Sequence, residues 1–77
     1  METRTRWYVQ STNAGVPYLV ARIREELGVL VPEVWNGREW RDWPTAMSFR
    51  VDPLAADEVD EAAAEAVIAE LARRRGA

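Results

Sequence analysis

The sequence predicts an α+β fold in which an antiparallel β-meander of about four strands is packed by one C-terminal helix. Residues 5–51 contain short β-branched and aromatic runs separated by turn residues, which is typical of hairpin-connected strands. An Asn36-Gly37 pair lies between two of these runs, and Asn-Gly is the strongest short-range signal for a hairpin. Residues 57–74 are rich in Ala and Glu and contain no Gly or Pro, which favours one helix.

The first two strands are predicted at residues 5–10 and 18–24. The first run is β-branched and aromatic, and Trp7 and Val9 share one of its faces. In the second run apolar residues alternate with larger or charged ones, as in a half-buried strand. The end of this run before Gly28 also fits a helical turn with a glycine cap. We favour the strand, because the first strand needs a hairpin partner.

The third and fourth strands are predicted at residues 29–35 and 38–43, on either side of the Asn36-Gly37 turn. A two-residue type I′ turn requires positive φ at both central positions, which Asn and Gly tolerate. Pro32 lacks a backbone N–H, so we expect it to face outward on an edge or to lie at a bulge. Residues 25–28 are predicted to form the turn between the second and third strands.

The end of the fourth strand carries two tryptophans whose spacing matters. Trp40 and Trp43 are separated by an odd number of residues, so a regular strand directs them to opposite sides of the sheet. At least one of them should then lie away from the main core. The segment that follows supports two interpretations, a short helix beginning at Pro44 or a fifth strand over residues 45–51.

The helix predicted at residues 57–74 carries favourable charges at both ends. Asp57 and Asp60 are candidate N-caps, and the run of three arginines at residues 73–75 lies near the negative end of the helix dipole. The predicted apolar stripe consists of Val59, Ala63, Ala66, Val67, Ile68 and Leu71. Much of it is alanine, so the larger share of the core must come from the aromatic residues of the sheet.

The composition predicts a single domain over residues 1–77 that is not an enzyme and holds no cofactor or metal. The 77 residues include no cysteine and no histidine, and all ten basic residues are arginine. There is therefore no thiolate nucleophile, no imidazole base, no lysine for a Schiff base and no His/Cys metal site. The acidic pairs lie at a turn and a helix start, where solvation and capping explain them.

Charge and hydropathy restrict the partners. The formal net charge of −3 argues against bulk electrostatic binding to nucleic acid or to an anionic membrane. No apolar run approaches the roughly 20 residues that a membrane span needs, and the polar N-terminus does not resemble a signal peptide. We therefore expect a cytoplasmic location, no membrane partner, and a protein partner in preference to nucleic acid.

Four motifs follow one another along the chain: Arg6-Trp7-Tyr8-Val9, residues 17–24, the Trp35-Asn36-Gly37…Trp40 turn, and an acidic entry at residues 57–61 into an Ala-rich helix. This order resembles a group of short uncharacterised proteins from high-GC actinobacteria and their phages. The resemblance covers most of the chain and implies a β-meander with a C-terminal helix. It implies no activity, and no functional residue is carried over from it.

The aromatic and arginine residues of the sheet are the best candidates for function. Trp, Tyr and Arg are enriched at the hot spots of protein interfaces. The predicted partner-binding residues are Trp43, Arg41, Arg38, Tyr18, Arg22 and Arg24. We therefore predict a small protein-interaction module that binds an unidentified protein through its Trp/Arg hairpin. The alternatives are single-stranded nucleic-acid binding by stacking and arginine contacts, or a structural subunit of a homo-oligomer or virion.

Overall fold

A computed structural model describes residues 4–76 and shows one five-stranded antiparallel sheet with a helix on one face. The elements are β1 (Arg4–Ser11), β2 (Pro17–Glu26), β3 (Val29–Trp35), β4 (Trp40–Asp42), a 3₁₀ helix (Pro44–Arg50), β5 (Asp57–Val59) and α1 (Glu61–Gly76). The order across the sheet is β4-β3-β2-β1-β5. The predicted α+β class is confirmed, and the sheet gains a fifth strand at residues 57–59, which the sequence did not predict.

A two-residue turn at Leu27 and Gly28 sets the register of the central hairpin. Their φ angles of +53° and +80° are the left-handed values of a type I′ turn. Glycine adopts such values freely, whereas leucine is strained there. Counting back from this turn, Arg22 on β2 lies directly opposite Glu33 on β3. The interpretation of residues 18–24 as a strand is confirmed.

The turn at Asn36 differs from the predicted one. Trp35 is paired with Trp40, so a four-residue loop joins β3 to β4 in place of a two-residue type I′ turn. The side chain of Asn36 explains the difference, because its Oδ1 accepts hydrogen bonds from the backbone N–H groups of Arg38 (2.8 Å) and Glu39 (2.9 Å). The hairpin is confirmed, but its predicted turn type was wrong and β4 begins two residues later than expected.

Pro32 lies within the sheet, opposite Ile23 of β2, at the point where β4 has ended. Its carbonyl accepts a hydrogen bond from the N–H of Trp43 at 2.9 Å. In an antiparallel strand the N and C=O of one residue point to the same side, so the missing N–H also faces Trp43. The carbonyl of Trp43 is already bonded to the N–H of Ala46 at 3.0 Å, so the proline costs no ladder bond.

The two faces of the sheet are covered by different elements. We call the side that bears Val9 and Val20 the helix face, because α1 packs on it. We call the side that bears Tyr8 and Ala21 the 3₁₀ face. Residues 45–51, for which the sequence left two interpretations open, lie largely in the 3₁₀ helix that covers it. The buried cluster of the 3₁₀ face consists of Tyr8, Ala21, Ile23, Ala46, Phe49 and Ala56.

Trp40 and Trp43 lie on opposite sides of the sheet, as predicted. On the helix face, the Trp40 ring packs edge-on against Trp7 and Trp35, with centroids 5.7 and 5.4 Å apart. On the 3₁₀ face, the Trp43 ring packs edge-on against Phe49 at 5.7 Å. Contrary to the prediction, both tryptophans are partly buried against a core cluster, because each face of the sheet is covered at least in part.

α1 begins at Glu61, four residues later than predicted. Residues 57–59 instead form β5, which pairs with β1 at residues 7–9 and extends the sheet at that edge. Asp60 is the N-cap, since its Oδ1 accepts a hydrogen bond from the N–H of Ala63 at 2.8 Å. The prediction that residues 57–59 are helical was therefore wrong, and of the two candidate caps Asp60 is the one used.

The apolar stripe of α1 is narrower than predicted. Of the six predicted residues, Val59 lies in β5 and packs on the same cluster from there, and three residues of α1 pack on the sheet: Val67, Ile68 and Leu71. Two are exposed: Ala63 and Ala66. Ala64, which was not in the predicted stripe, is fully buried against Val9 and Val20. Its small side chain lets the helix approach the sheet closely.

Candidate functional site

The apolar residues of α1 cover only part of the helix face. They pack over Val9 and Val20, and the same face continues along β2 with Arg22 and Arg24. Paired residues of neighbouring strands share a face, so Glu33 of β3 lies beside Arg22 there. We call the group formed by Trp7, Arg22, Arg24, Glu33 and Trp40 the Arg/Trp patch.

Glu33 is the centre of the Arg/Trp patch. Among residues 4–76 it is the one charged residue that is buried, with 8% of its surface exposed. Its Oε1 accepts hydrogen bonds from Nε of Arg22 (2.9 Å) and Nε of Arg24 (2.8 Å). A buried carboxylate is costly unless it is paired and hydrogen-bonded, and here two guanidinium groups meet both conditions.

Arg22 is held in place by aromatic rings as well as by the carboxylate. Its guanidinium carbon lies 4.0 Å from the ring centroid of Trp40 and 5.7 Å from that of Trp7. Such cation–π contacts contribute roughly 0.5–2 kcal/mol each. The sheet register produces this arrangement, because Arg22 pairs with Trp7 on one side and with Glu33 on the other. The side chain is therefore ordered before any partner binds.

Arg24 bridges two carboxylates at the open end of the Arg/Trp patch. Besides its contact with Glu33, its Nη1 donates to Oε1 of Glu26 at 2.6 Å. The Arg24 side chain keeps 28% of its surface exposed, against 20% for Arg22. The hydrogen bond to Glu33 is the main reason that the pKa of Arg24 is raised above its ordinary value. Of the two arginines, Arg24 is the more accessible to a partner.

The protonation state of Glu33 follows from two opposing effects. Burial raises the pKa of this carboxyl, because the charged form loses hydration. Hydrogen bonds from Arg24 and Arg22 act in the opposite direction and prevail, so the pKa of Glu33 lies below its ordinary value of 4.5. Glu33 is therefore ionised at neutral pH and its Oε1 is occupied by two donors, which leaves it unsuited to act as a general base.

The remaining predicted site residues lie elsewhere. Tyr18 is 54% exposed near the start of β2, beside the C-terminal part of α1. Arg38 lies in the loop after β3. Arg41 pairs with Val34, which directs it to the 3₁₀ face. Trp43 packs on Phe49. Of the six predicted residues, only two are brought together, Arg22 and Arg24, and the binding role of the others stays a prediction.

Three members of the Arg/Trp patch were not predicted as site residues: Trp7, Glu33 and Trp40. The signal that identifies Glu33 is the position of the turn. If Leu27 and Gly28 are the two turn residues, simple counting places Arg22 opposite Glu33, and opposite charges on paired positions stabilise a sheet. The sequence interpretation located this turn only as a four-residue segment, so the pairing stayed undetermined.

No group of three or more His, Cys, Asp or Glu side chains that could hold a metal ion occurs within residues 4–76. In the same part of the chain, α1 falls short of the length and apolarity that a membrane crossing requires. Comparisons with family models, with curated proteins and with solved structures give no match. The function must therefore be argued from the geometry of this chain alone.

Proposed function

We propose that this protein is a non-catalytic interaction module that binds a partner protein through the Arg/Trp patch. The proposal rests on one observation: the side chains of the Arg/Trp patch are held in place before a partner binds. Arg22 is fixed between Glu33 and Trp40 on the part of the helix face that α1 leaves open. Trp and Arg are the residues most enriched at interface hot spots. A side chain that is ordered beforehand loses little conformational entropy when a partner binds.

The surroundings of the patch suit a protein partner. Beyond Arg24 the helix face continues with Val31, partly buried, and Val29, which is 61% exposed. The surface thus offers apolar contacts, aromatic edges and guanidinium donors side by side, as protein interfaces do. The nearby carboxylates of Glu26 and Glu33 keep its charge near balance. We infer a partner surface that combines apolar and hydrogen-bonding groups.

Nucleic-acid binding is the alternative that this geometry disfavours. Stacking of bases requires an open aromatic face beside a cationic groove. The face of Trp40 is occupied by the guanidinium of Arg22, and Trp7 and Trp40 pack edge-on at 66° to each other. The net charge of −3 adds general repulsion of phosphates. Self-association through the patch is the other alternative, and light scattering after size exclusion separates it from hetero-binding.

The test begins with a displayed library of fragments from actinobacterial proteins, chosen because of the resemblance to actinobacterial and phage proteins. Binders selected on the intact chain are synthesised, and their affinities are measured by fluorescence anisotropy. The variants are Arg24→Ala within the patch and Arg41→Ala as the matched control, since Arg41 is an exposed arginine directed to the other face. We expect Arg24→Ala to weaken binding at least about tenfold, which corresponds to roughly 1.4 kcal/mol.

Arg41→Ala should change the affinity by less than about twofold, because exposed contacts outside an interface contribute little. Equal losses in both variants, or a loss in the control alone, contradict the proposal and place binding at the hairpin. Displacement of the peptide by short oligonucleotides at low salt would favour the nucleic-acid alternative instead. A concentration-dependent dimer whose formation Arg24→Ala abolishes would assign the patch to self-association.

A further inference from the structure

A second surface feature shares no residue with the Arg/Trp patch. A cleft of about 320 Å³ lies between the C-terminal part of α1 and the loop after β3. Its volume is at the lower end of the roughly 300–1,000 Å³ found for small-molecule sites. The lining combines an apolar floor with a cationic rim, and its main residues are Tyr18, Trp35, Ile68, Leu71, Arg74 and Arg75.

The two arginines span this cleft from the helix to its opposite wall. Arg74 Nη2 donates to the carbonyl of Pro17 at 2.8 Å, and Arg75 Nη1 donates to the carbonyl of Asn36 at 3.3 Å. A guanidinium carries five N–H donors, so each group keeps most of its donors for a ligand. Arg74 lies 3.8 Å from Glu70, whereas Arg75 has no acidic partner within residues 4–76.

Gly37 gives Arg75 its place at the rim. A Cβ built on Gly37 would coincide with the guanidinium of Arg75, so any larger residue would displace the arginine from the loop. Gly37 also has a φ of +100°, a backbone conformation that residues other than glycine rarely adopt. The same loop residue therefore permits the turn and leaves room for the cation.

We propose that the cleft binds a small amphipathic carboxylate. Its carboxylate lies against Arg74 and Arg75, whose planar forks match the two oxygens of a carboxylate, and its hydrocarbon chain lies on Trp35 and Leu71. Charge complementarity selects this class of ligand, because Arg75, which has no acidic partner within the described part of the chain, borders an apolar surface. Tyr18, predicted from the sequence as a binding residue, would contact the chain at the mouth of the cleft.

The experiment titrates octanoate into the ¹⁵N-labelled protein and follows the amide resonances. The predicted result is a dissociation constant on the order of 1 mM, which suits a ligand of this size, with shifts confined to Tyr18 and to residues 35–37 and 68–75. Octanamide, which has the same chain without the charge, should bind at least about fivefold more weakly. Arg75→Gln should weaken octanoate binding to a similar extent, and Arg73→Gln, which removes a partner of Glu70 outside the lining, should not.

Three results would overturn this assignment. One is the absence of saturable shifts in the cleft with octanoate up to about 10 mM. Another is equal binding of octanoate and octanamide, which would make the cleft a purely apolar groove. The third is octyl phosphate binding more than about tenfold more tightly than octanoate, which would reassign the site to phosphate esters. Because Arg75 lies at the exposed end of α1, its substitution should leave the fold intact, which the spectrum itself checks.

Discussion

The two faces of the sheet are stabilised in different ways. The 3₁₀ face is an apolar core in which Tyr8, Ile23 and Phe49 are each at most 5% exposed. It nonetheless holds one buried side-chain polar atom, the hydroxyl of Tyr8, that has no hydrogen-bond partner among residues 4–76. The helix face buries a full charge, Glu33, yet two arginines satisfy it. A small domain can thus bury its apolar side chains on one face of a sheet, here the 3₁₀ face, and hold an ordered network of charged side chains on the other, here the helix face.

The largest expected loss in the free energy of unfolding comes from a substitution in the apolar core under the 3₁₀ helix. Phe49 contacts the rings of Tyr8 and Trp43 at 5.8 and 5.7 Å. Phe49→Ala should lower the free energy of unfolding by about 3–4 kcal/mol, through lost burial and the cavity left behind. Urea denaturation measures this, with the exposed Leu54→Ala as control. A loss below about 1 kcal/mol would mean that this face is not the main source of stability.

Removing the buried charge on the helix face should have the next largest effect. Glu33→Gln removes the carboxylate that Arg22 and Arg24 share, so that Arg24 keeps only its exposed pair with Glu26. Breaking a buried pair costs about 3–5 kcal/mol. Because both arginines are partly hydrated, we expect a smaller loss of about 2 kcal/mol. The matched control is Glu39→Gln, which breaks an exposed pair with Arg41 and should cost less than about 0.5 kcal/mol. Equal losses in the two variants would show that burial of the pair is unimportant.

Removal of the Tyr8 hydroxyl from the 3₁₀ face should stabilise the fold. A buried donor without a partner costs about 1–3 kcal/mol, so Tyr8→Phe should raise the free energy of unfolding by about 1 kcal/mol. Tyr18→Phe is the control, because Tyr18 is more than half exposed and its hydroxyl is free to meet solvent. Thermal and urea denaturation measure both. A loss of stability in Tyr8→Phe would reveal a hydrogen bond at that position.

The smallest expected change in the free energy of unfolding comes from the turn that sets the register of the central hairpin. Leu27 has a φ of +53°, a conformation that costs a non-glycine residue about 1 kcal/mol or more and that asparagine tolerates best. Leu27→Asn should therefore raise the free energy of unfolding by about 0.5–1 kcal/mol. Leu54→Asn, at a fully accessible site without positive φ, should have no such effect. An equal response of the two variants would contradict the type I′ turn.

These features differ in how far the sequence revealed them. The fold class, the hairpin around Asn36 and the helix were predictable, because each rests on local propensity. The geometry of the Asn36 loop was not, since the asparagine side chain bonds the backbone and replaces the expected turn. β5 at residues 57–59 was missed because a three-residue acidic strand has no propensity signal and depends on pairing with β1.

The candidate site depended on contacts that are distant in the sequence. The prediction gave no role to Glu33, because its pairing follows only from the position of the Leu27 turn. Trp43 is predicted to lie at a surface because it is out of phase with Trp40, and no local pattern shows that a 3₁₀ helix covers the second face of the sheet. Arg22 and Arg24 were identified by their alternation along β2, which is a local pattern. Local signals therefore located the arginines, and tertiary packing decided what they contact.

An ionised Glu33 holds Arg22 and Arg24 in the Arg/Trp patch. Burial raises the pKa of Glu33, but the arginine hydrogen bonds prevail and keep it below 4.5. The folded state then binds fewer protons than the unfolded state near that pH. This contribution to stability is therefore complete above about pH 4.5 and is lost as the pH falls through the folded-state pKa.

The most direct measurement is an NMR titration of the Glu33 side-chain carboxyl, followed through its ¹³C resonance in the folded protein. We expect the pKa of Glu33 to lie below 4.5. The Nε–H resonances of Arg22 and Arg24 should shift with the same pH midpoint as the Glu33 carboxyl. A pKa at or above 4.5, or arginine resonances that do not respond when Glu33 is protonated, would contradict it.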